Sequence, residues 1–243
     1  MPTRTPETGP ETAMVLAAGL GTRMRPITDR VPKPLVEVDG RTLLDRALDA
    51  LVAAGVRRAV VNVHHLADQI EDHLARRDDI ETVVSDERDT LMDSGGGVAR
   101  ALPHLSDTFF ILNSDTFWVD GASPSLARMA GERGEGEMRL LLAPHERAVG
   151  FGGRGDFFLR DGLLERRGER DSAPYIYAGA ILADREHFRD VPDGPFGLNM
   201  LFDRAIAAAQ LTGTVMDGLW LHVGTPEAIG EAEAALRARR AAA

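Results

Sequence analysis

Four short runs rich in β-branched and aromatic residues, separated by stretches of helical period, restrict this chain to few folds. Residues 13–18 (AMVLAA), 57–63 (RRAVVNV), 80–85 (IETVVS) and 108–115 (TFFILNSD) have the length and composition of buried strands. Between the first two, TLLDRALDALVAAG sets Leu43, Leu44, Ala47, Leu48, Leu51 and Val52 on one helical face. Thr42 and Asp45 suit a capping box there, and Gly55 suits the C-terminal stop. LADQIEDHLARR aligns Leu66, Ile70 and Leu74, and GGGVARAL opens a short third helix. Strands and helices in this alternation predict an α/β fold, a mainly parallel central sheet with helices on both faces. In such folds ligands gather beyond the carboxyl ends of the strands.

The pattern changes after Pro144, with glycine-rich, hairpin-like segments (GFGGRGDFFLRDG, YIYAGAILA) and a helix near Asn199 to Gln210. The last helix starts at Thr225 as cap, with Pro226 in its first position. No composition break marks a linker, so residues 13–240 are expected to form a single domain whose second half is a small lobe. The tail MPTRTPETGPET, residues 1–12, is expected to be disordered. It lacks the apolar core of a signal peptide, and no later apolar run nears the roughly 18 residues of a membrane span, so a cytoplasmic protein without membrane contact is expected. A balance of 28 Lys and Arg against 38 Asp and Glu, net charge -10, argues against nucleic acid as a partner. With no cysteine, disulfides, thiolate nucleophiles and cysteine metal sites are excluded.

Against that acidic background, MVLAAGLGTRMRPITDRVPKPL (Met14 to Leu35) concentrates cations around two glycines and three prolines. Glycines after a strand let backbone N–H groups approach anionic oxygens, and Arg23, Arg25 and Lys33 crowd like charge that an anion would offset. The usual phosphate fingerprints do not match. G-x-x-x-x-G-K-[ST] is absent, and Met24 fills the third glycine position of G-x-G-x-x-G.

LAAGLGTRMRPITDRVPKPL resembles, almost position by position, the signature L-A-A-G-x-G-T-R-[ML]-x-P-[LI]-T-x-x-x-P-K-P of the sugar-1-phosphate nucleotidyltransferase family. In order, SGGGVARAL is similar to the family's second glycine motif, LNSD to its metal-binding strand end, and LWLHVGTPE to its closing W-x-D-V-G-T-P-E. The resemblance spans about residues 13 to 240. It implies a Rossmann-like nucleotidyltransferase fold with a nucleotide half near 13–120 and a sugar-binding half near 121–240. It also implies an enzyme that joins an NTP and a sugar 1-phosphate into an NDP-sugar and pyrophosphate. The short form is most similar to members that use UTP and N-acetylmuramic acid 1-phosphate in cell-wall recycling, with a mannose-1-phosphate guanylyltransferase as runner-up.

By this resemblance Leu16, Ala17, Ala18 and Gly19 lie along the nucleoside, while Gly21, Thr22 and Arg23 hold the β and γ phosphates and Lys33 reaches the α-phosphate. Ser94, Gly95 and Gly96 approach the base and ribose. Gly155, Tyr177, Gly179 and Asn199 match the sugar side. Arg23, Lys33 and Asp115 carry catalysis, with Asp115 as a hard oxygen ligand for Mg²⁺. The chain departs from the family pattern at His222, where most relatives place a second metal-binding aspartate. Imidazole suits Mn²⁺ better than Mg²⁺, so three readings stand together: a softer metal, a contact to metal-bound water or phosphate, or a non-catalytic nucleotide-sugar sensor subunit. Ser114 replaces the usual glycine before Asp115. The remaining histidines, including His64 and His65, show no zinc spacing and read as loop residues. A monomer or small homo-oligomer is expected.

Overall fold

Each strand run of the first half forms a strand in the computed structural model, which describes residues 9–242. In chain order the strands are β1 (Thr12–Leu16), β2 (Glu37–Val38), β3 (Arg41–Thr42), β4 (Arg58–Val63), β5 (Glu81–Asp86), β6 (Thr108–Asn113) and β7 (Thr116–Val119). They continue as β8 (Met138–Pro144), β9 (Ala148–Val149), β10 (Phe157–Arg160), β11 (Leu163–Arg166), β12 (Tyr175–Asp184), β13 (Leu211–Val215) and β14 (Leu219–His222). The helices are α1 (Leu43–Ala53), α2 (Ala67–Leu74), α3 (Asp93–Ala101), α4 (Ser125–Glu132), α5 (Asn199–Ala207) and α6 (Pro226–Ala241).

Nine strands make one sheet in the order β10-β11-β13-β8-β12-β6-β1-β4-β5, so strands from both halves of the chain share it. Only β12 and β11 run against the rest, which gives the mostly parallel sheet that the alternation predicts. β1 lies between β4 and β6 in parallel register, with Leu16 level with Asn113. The carboxyl ends of these strands therefore finish side by side.

Alternation along the strands sends side chains to two cores. Ala13, Val15, Val61 and Leu112 join α1, α2 and α4 on one face, while Met14, Val60 and Ile111 join α3 and α5 on the other. An isolated helix of α1's length is marginal in water. Leu44, Leu48 and Leu51, all wholly buried, each add roughly 1.5–3 kcal/mol by burial and hold it in place. Thr42 caps it as expected, with the Asp45 N–H donating to Thr42 Oγ1 at 3.0 Å, but the reciprocal half of the capping box is replaced by the Thr42 hydroxyl donating to Asp45 Oδ2 at 2.8 Å. A third core under α6 gathers Met24, Val36, Phe117, Leu221 and Val223 and roots the small sheet β7-β14-β9.

Three local expectations are corrected. The first strand ends at Leu16, because the Ala17 N–H turns from the ladder to Asn62 Oδ1 at 2.7 Å. The expected disordered tail is shorter at its carboxyl end, since the Arg57 and Arg58 N–H groups both donate to the Glu11 carbonyl and Thr12 already belongs to β1; residues 1–8 lie outside the described residues. Thr225 occupies the position before α6, but its side chain caps no backbone N–H.

Candidate active site

The carboxyl ends of β1, β4, β5 and β6 open into a cleft of about 620 Å³. Leu16, Ala17, Ala18, Gly19, Gly21, Thr22, Arg23, Lys33, Ser94 and Asp115, ten of the residues singled out from the sequence, line it together. The stretch after β1 runs through two tight 3₁₀ turns, Thr22–Met24 and Ile27–Asp29, and a third at Lys33–Leu35. Gly21 adopts φ 62°, and a Cβ there would lie 2.8 Å from Thr28 Cγ2, so only glycine fits the bend. Met24 is wholly buried and pins the loop to the third core. Arg23 next to it is exposed, and among the described residues no hydrogen bond or ion pair holds its guanidinium. Arg25 turns away to a surface pair with Asp29 at 3.3 Å.

At the cleft floor Lys33 Nζ donates to Asp115 Oδ2 at 2.9 Å, with the side chains 11% and 31% exposed. A desolvated ammonium in this position is tolerated because the carboxylate faces it. The Asp115 carbonyl accepts from the Val223 N–H at 3.0 Å, and Thr116 pairs with His222 across β7 and β14, so His222 borders the same corner. Its ring stacks on Trp220 and meets Phe151 edge-on, and Nδ1 donates to the Gly150 carbonyl at 3.2 Å. That bond assigns the proton to Nδ1 in the neutral ring and leaves Nε2 as an acceptor. A Cβ on Gly224, which lines the cleft, would stand 3.0 Å from Nε2, so this edge of the imidazole faces the cleft wall.

Among the described residues no group of three or more His, Cys, Asp or Glu is arranged to hold a metal ion. A divalent cation beside Asp115 would therefore draw most of its ligands from phosphate oxygens and water, the mode that suits Mg²⁺.

The other end of the cleft holds a network that the sequence reading missed. Asn62 Oδ1 accepts from Ala17 N–H, and its Nδ2 donates to Glu87 Oε1 at 2.8 Å. Glu87 is 0% exposed, and its Oε2 accepts from Met92 N–H at 3.0 Å. The signal was present, since Asn62 is the polar residue inside VVNV and Glu87 directly follows a strand. Ser114 Oγ donates to the Leu16 carbonyl at 2.6 Å, tying the ends of β1 and β6.

Gly95 and Gly96 are buried in α3 rather than presented to the cleft. Both N–H groups donate to the Phe196 carbonyl, at 2.8 and 3.0 Å, and a Cβ on Gly95 would meet the Phe196 ring at 2.3 Å. Their N–H groups are thus occupied, and what these glycines admit is the 194–196 segment, not a base.

None of the four residues expected on the sugar side lines the cleft. Gly179, at φ 89°, forms the bulge of β12 and packs under Asn113 and Thr116, the two neighbours of the Ser114–Asp115 turn. Tyr177 is half-buried, but its hydroxyl is wholly buried without a hydrogen bond, and burial, with the Asp115 charge adding, pushes its phenol well above the ordinary range. Gly155 packs on the Ala173 carbonyl, where the chain entering β10 lies beside the chain entering β12. Asn199 is exposed and its Oδ1 accepts from Arg166 Nη1 at 3.0 Å, which corrects its expected contact with the sugar.

The family model for the MobA-like NTP transferase domain matches residues 13–187. An N-acetylmuramate alpha-1-phosphate uridylyltransferase of Caulobacter vibrioides (strain ATCC 19089 / CIP 103742 / CB 15) is 43% identical over 235 residues, 93% of this chain and 97% of that protein. A mannose-1-phosphate guanylyltransferase catalytic subunit beta of Xenopus tropicalis is 28% identical over 88% of this chain and 61% of its own length. Among solved structures, the inositol-1-phosphate CTP transferase from T. maritima shares the fold with a TM-score of 0.75 at 17% identity, covering 93% of this chain and 97% of the other.

Proposed function

The chain belongs to the MobA-like NTP transferase family, and from that membership we propose that it is a sugar-1-phosphate nucleotidyltransferase that joins UTP and N-acetylmuramic acid 1-phosphate into UDP-N-acetylmuramic acid and pyrophosphate. The observation that carries this reading is the Lys33–Asp115 pair at the floor of a cleft that Arg23 also lines. A non-bridging oxygen of the sugar phosphate attacks the α-phosphorus of UTP, the bond from that phosphorus to the α–β bridging oxygen breaks, and pyrophosphate leaves with that oxygen. Two anions must meet in this step, so the protein's task is to position them and neutralise charge.

In this reading Arg23 and the backbone from Gly21 to Thr22 hold the β and γ phosphates, and Lys33 neutralises the α-phosphate in ground and transition states. Leu16, Ala17, Ala18 and Gly19 line the nucleoside, with Ser94 at the far wall. Asp115 would hold Mg²⁺, which supplies positive charge to the phosphates when bound. His222 would use Nε2 to orient a water or phosphate oxygen at that corner. Gly179, packed under Asn113 and Thr116, would shape the turn that presents Asp115. The uridylyltransferase relative is matched over 97% of its length and the guanylyltransferase over 61%, which favours UTP over GTP. A cytoplasmic monomer or small homo-oligomer serving cell-wall recycling completes the reading. No helix is long and apolar enough to cross a membrane among the described residues.

The test is pyrophosphate release from five NTPs against N-acetylmuramic acid, N-acetylglucosamine, glucose and mannose 1-phosphates, in Mg²⁺ and in Mn²⁺. UTP with N-acetylmuramic acid 1-phosphate should dominate, and a stronger signal from GTP with mannose 1-phosphate would replace the substrate assignment.

A further inference from the structure

The phosphate loop is held from outside at two points. Residues 25–31 join its arginine end to its lysine end, and their backbone hydrogen bonds stay within the loop. Among the described residues, the hydrogen bonds reaching this segment from elsewhere are His65 Nε2 to the Thr28 carbonyl at 2.8 Å and Gln69 Nε2 to the Arg30 carbonyl at 3.0 Å. Both donors come from the connection between β4 and α2 and the first turn of α2. Between them Leu66 takes φ 52°, a left-handed conformation rare for leucine, which lets α2 begin four residues after β4 ends.

Thr28 passes this anchorage to the site. It is 1% exposed, its Oγ1 donates to the Gly21 carbonyl at 2.9 Å, and the Met24 N–H donates to the same carbonyl at 2.8 Å. A Cβ on Gly21 would lie 2.8 Å from Thr28 Cγ2 and 3.1 Å from Lys33 Cβ, so Gly21 is wedged between the two. With its carbonyl fixed by two donors, the Gly21 peptide can no longer rotate freely, and the direction of the N–H groups that follow is set.

We propose that His65 is a positioning residue for nucleotide binding: by holding the Thr28 carbonyl it sets Thr28, and through it Gly21, at the height at which the loop meets a triphosphate. A carbonyl only accepts, so Nε2 must carry the proton, and Gln69 repeats the contact further along the loop. His65 touches no reacting atom in this arrangement. The inference rests on the nucleotidyl-transfer reading of the same cleft.

His65→Ala, His65→Gln, Thr28→Val and the double variant His65→Ala/Thr28→Val are to be compared with the wild type for UTP binding by calorimetry in Mg²⁺. Steady-state rates with each substrate varied and thermal melting complete the set. Loss of one neutral hydrogen bond predicts that the UTP Kd and KM of His65→Ala rise about 3- to 10-fold. The KM for the sugar phosphate should stay within about twofold, since additivity across the cleft leaves it untouched. His65→Gln, which keeps an N–H donor at similar reach, should recover most of the loss, and the double variant should be no weaker than the weaker single. UTP affinity unchanged in His65→Ala would overturn the inference, as would equal damage in His65→Ala and His65→Gln, or additive losses in the double variant. A wild type that binds no NTP removes the functional reading and this inference with it, whereas a UTP-binding wild type indifferent to His65 removes the inference alone.

Discussion

Glu87 offers a perturbation whose outcome can be worked through atom by atom. Its wholly buried carboxylate accepts from Asn62 Nδ2 at 2.8 Å and from Met92 N–H at 3.0 Å, while Asn62 Oδ1 accepts from Ala17 N–H at 2.7 Å. In Glu87→Gln the new NH₂ must face either Met92 N–H or Asn62 Nδ2, and flipping Asn62 only moves the donor–donor contact to Ala17. One buried donor is left unsatisfied, which costs about 1–3 kcal/mol. For a chain of this size the melting temperature then falls by about 2–12 °C. Asn62→Asp sets two carboxylates face to face across the same gap and should cost more. Combining Glu87→Gln with Asn62→Asp restores the pattern with donor and acceptor exchanged. The amide introduced at position 87 donates to the carboxylate introduced at position 62, its carbonyl accepts from the Met92 N–H, and that carboxylate still accepts from the Ala17 N–H. Urea unfolding of the wild type, both singles and the double should therefore return the double to within about 1 kcal/mol of the wild type, far from the sum of the singles. Additive losses would refute the network as the source of the stability.

Lys33→Met should lower kcat by about 10²- to 10³-fold, as expected for loss of one charge-stabilising group, with a smaller effect on UTP binding measured by calorimetry. His222→Ala should raise the Mg²⁺ concentration for half-maximal rate, and an unchanged metal titration would remove His222 from the reaction. Burial pushes the Asp45 carboxyl up, but hydrogen bonds from His73, Thr42 and Arg77 outweigh it and hold the group below the ordinary range. A depressed carboxylate stabilises the fold above its unfolded pKa and loses that contribution as pH falls through the folded value. The wild type should thus be more stable than Asp45→Asn at neutral pH, with the gap in unfolding free energy closing below about pH 4.

The sheet and the cation-bearing loop were legible in the sequence because each is written in local pattern. Short apolar runs, the capped face of α1 and glycines between a strand and cations need no distant partner to be recognised. What was not legible depends on pairs far apart in the chain. Gly95 and Gly96 were expected to bring their backbone against the base and ribose, yet Phe196, about a hundred residues later, takes both N–H groups. Asn199 looked free until Arg166 was placed beside it. His64 and His65 carried no metal spacing and read as loop residues, and His65 proves to hold the Thr28 carbonyl across the cleft edge. Glu87 lay in a strongly charged stretch, SDERD, where one buried carboxylate cannot be told from its solvated neighbours.

The central claim is transfer of the α-phosphoryl of UTP to a sugar 1-phosphate, and isotope labelling tests it most directly. UTP labelled at the α-phosphorus is mixed with N-acetylmuramic acid 1-phosphate, Mg²⁺ and excess protein for a single turnover, in parallel with UTP labelled at the γ-phosphorus. The account predicts α-label in UDP-N-acetylmuramic acid and γ-label in pyrophosphate, with both transfers strongly slowed in Lys33→Met. Label remaining in UTP while the nucleotide is bound, or γ-label appearing as inorganic phosphate, would contradict it.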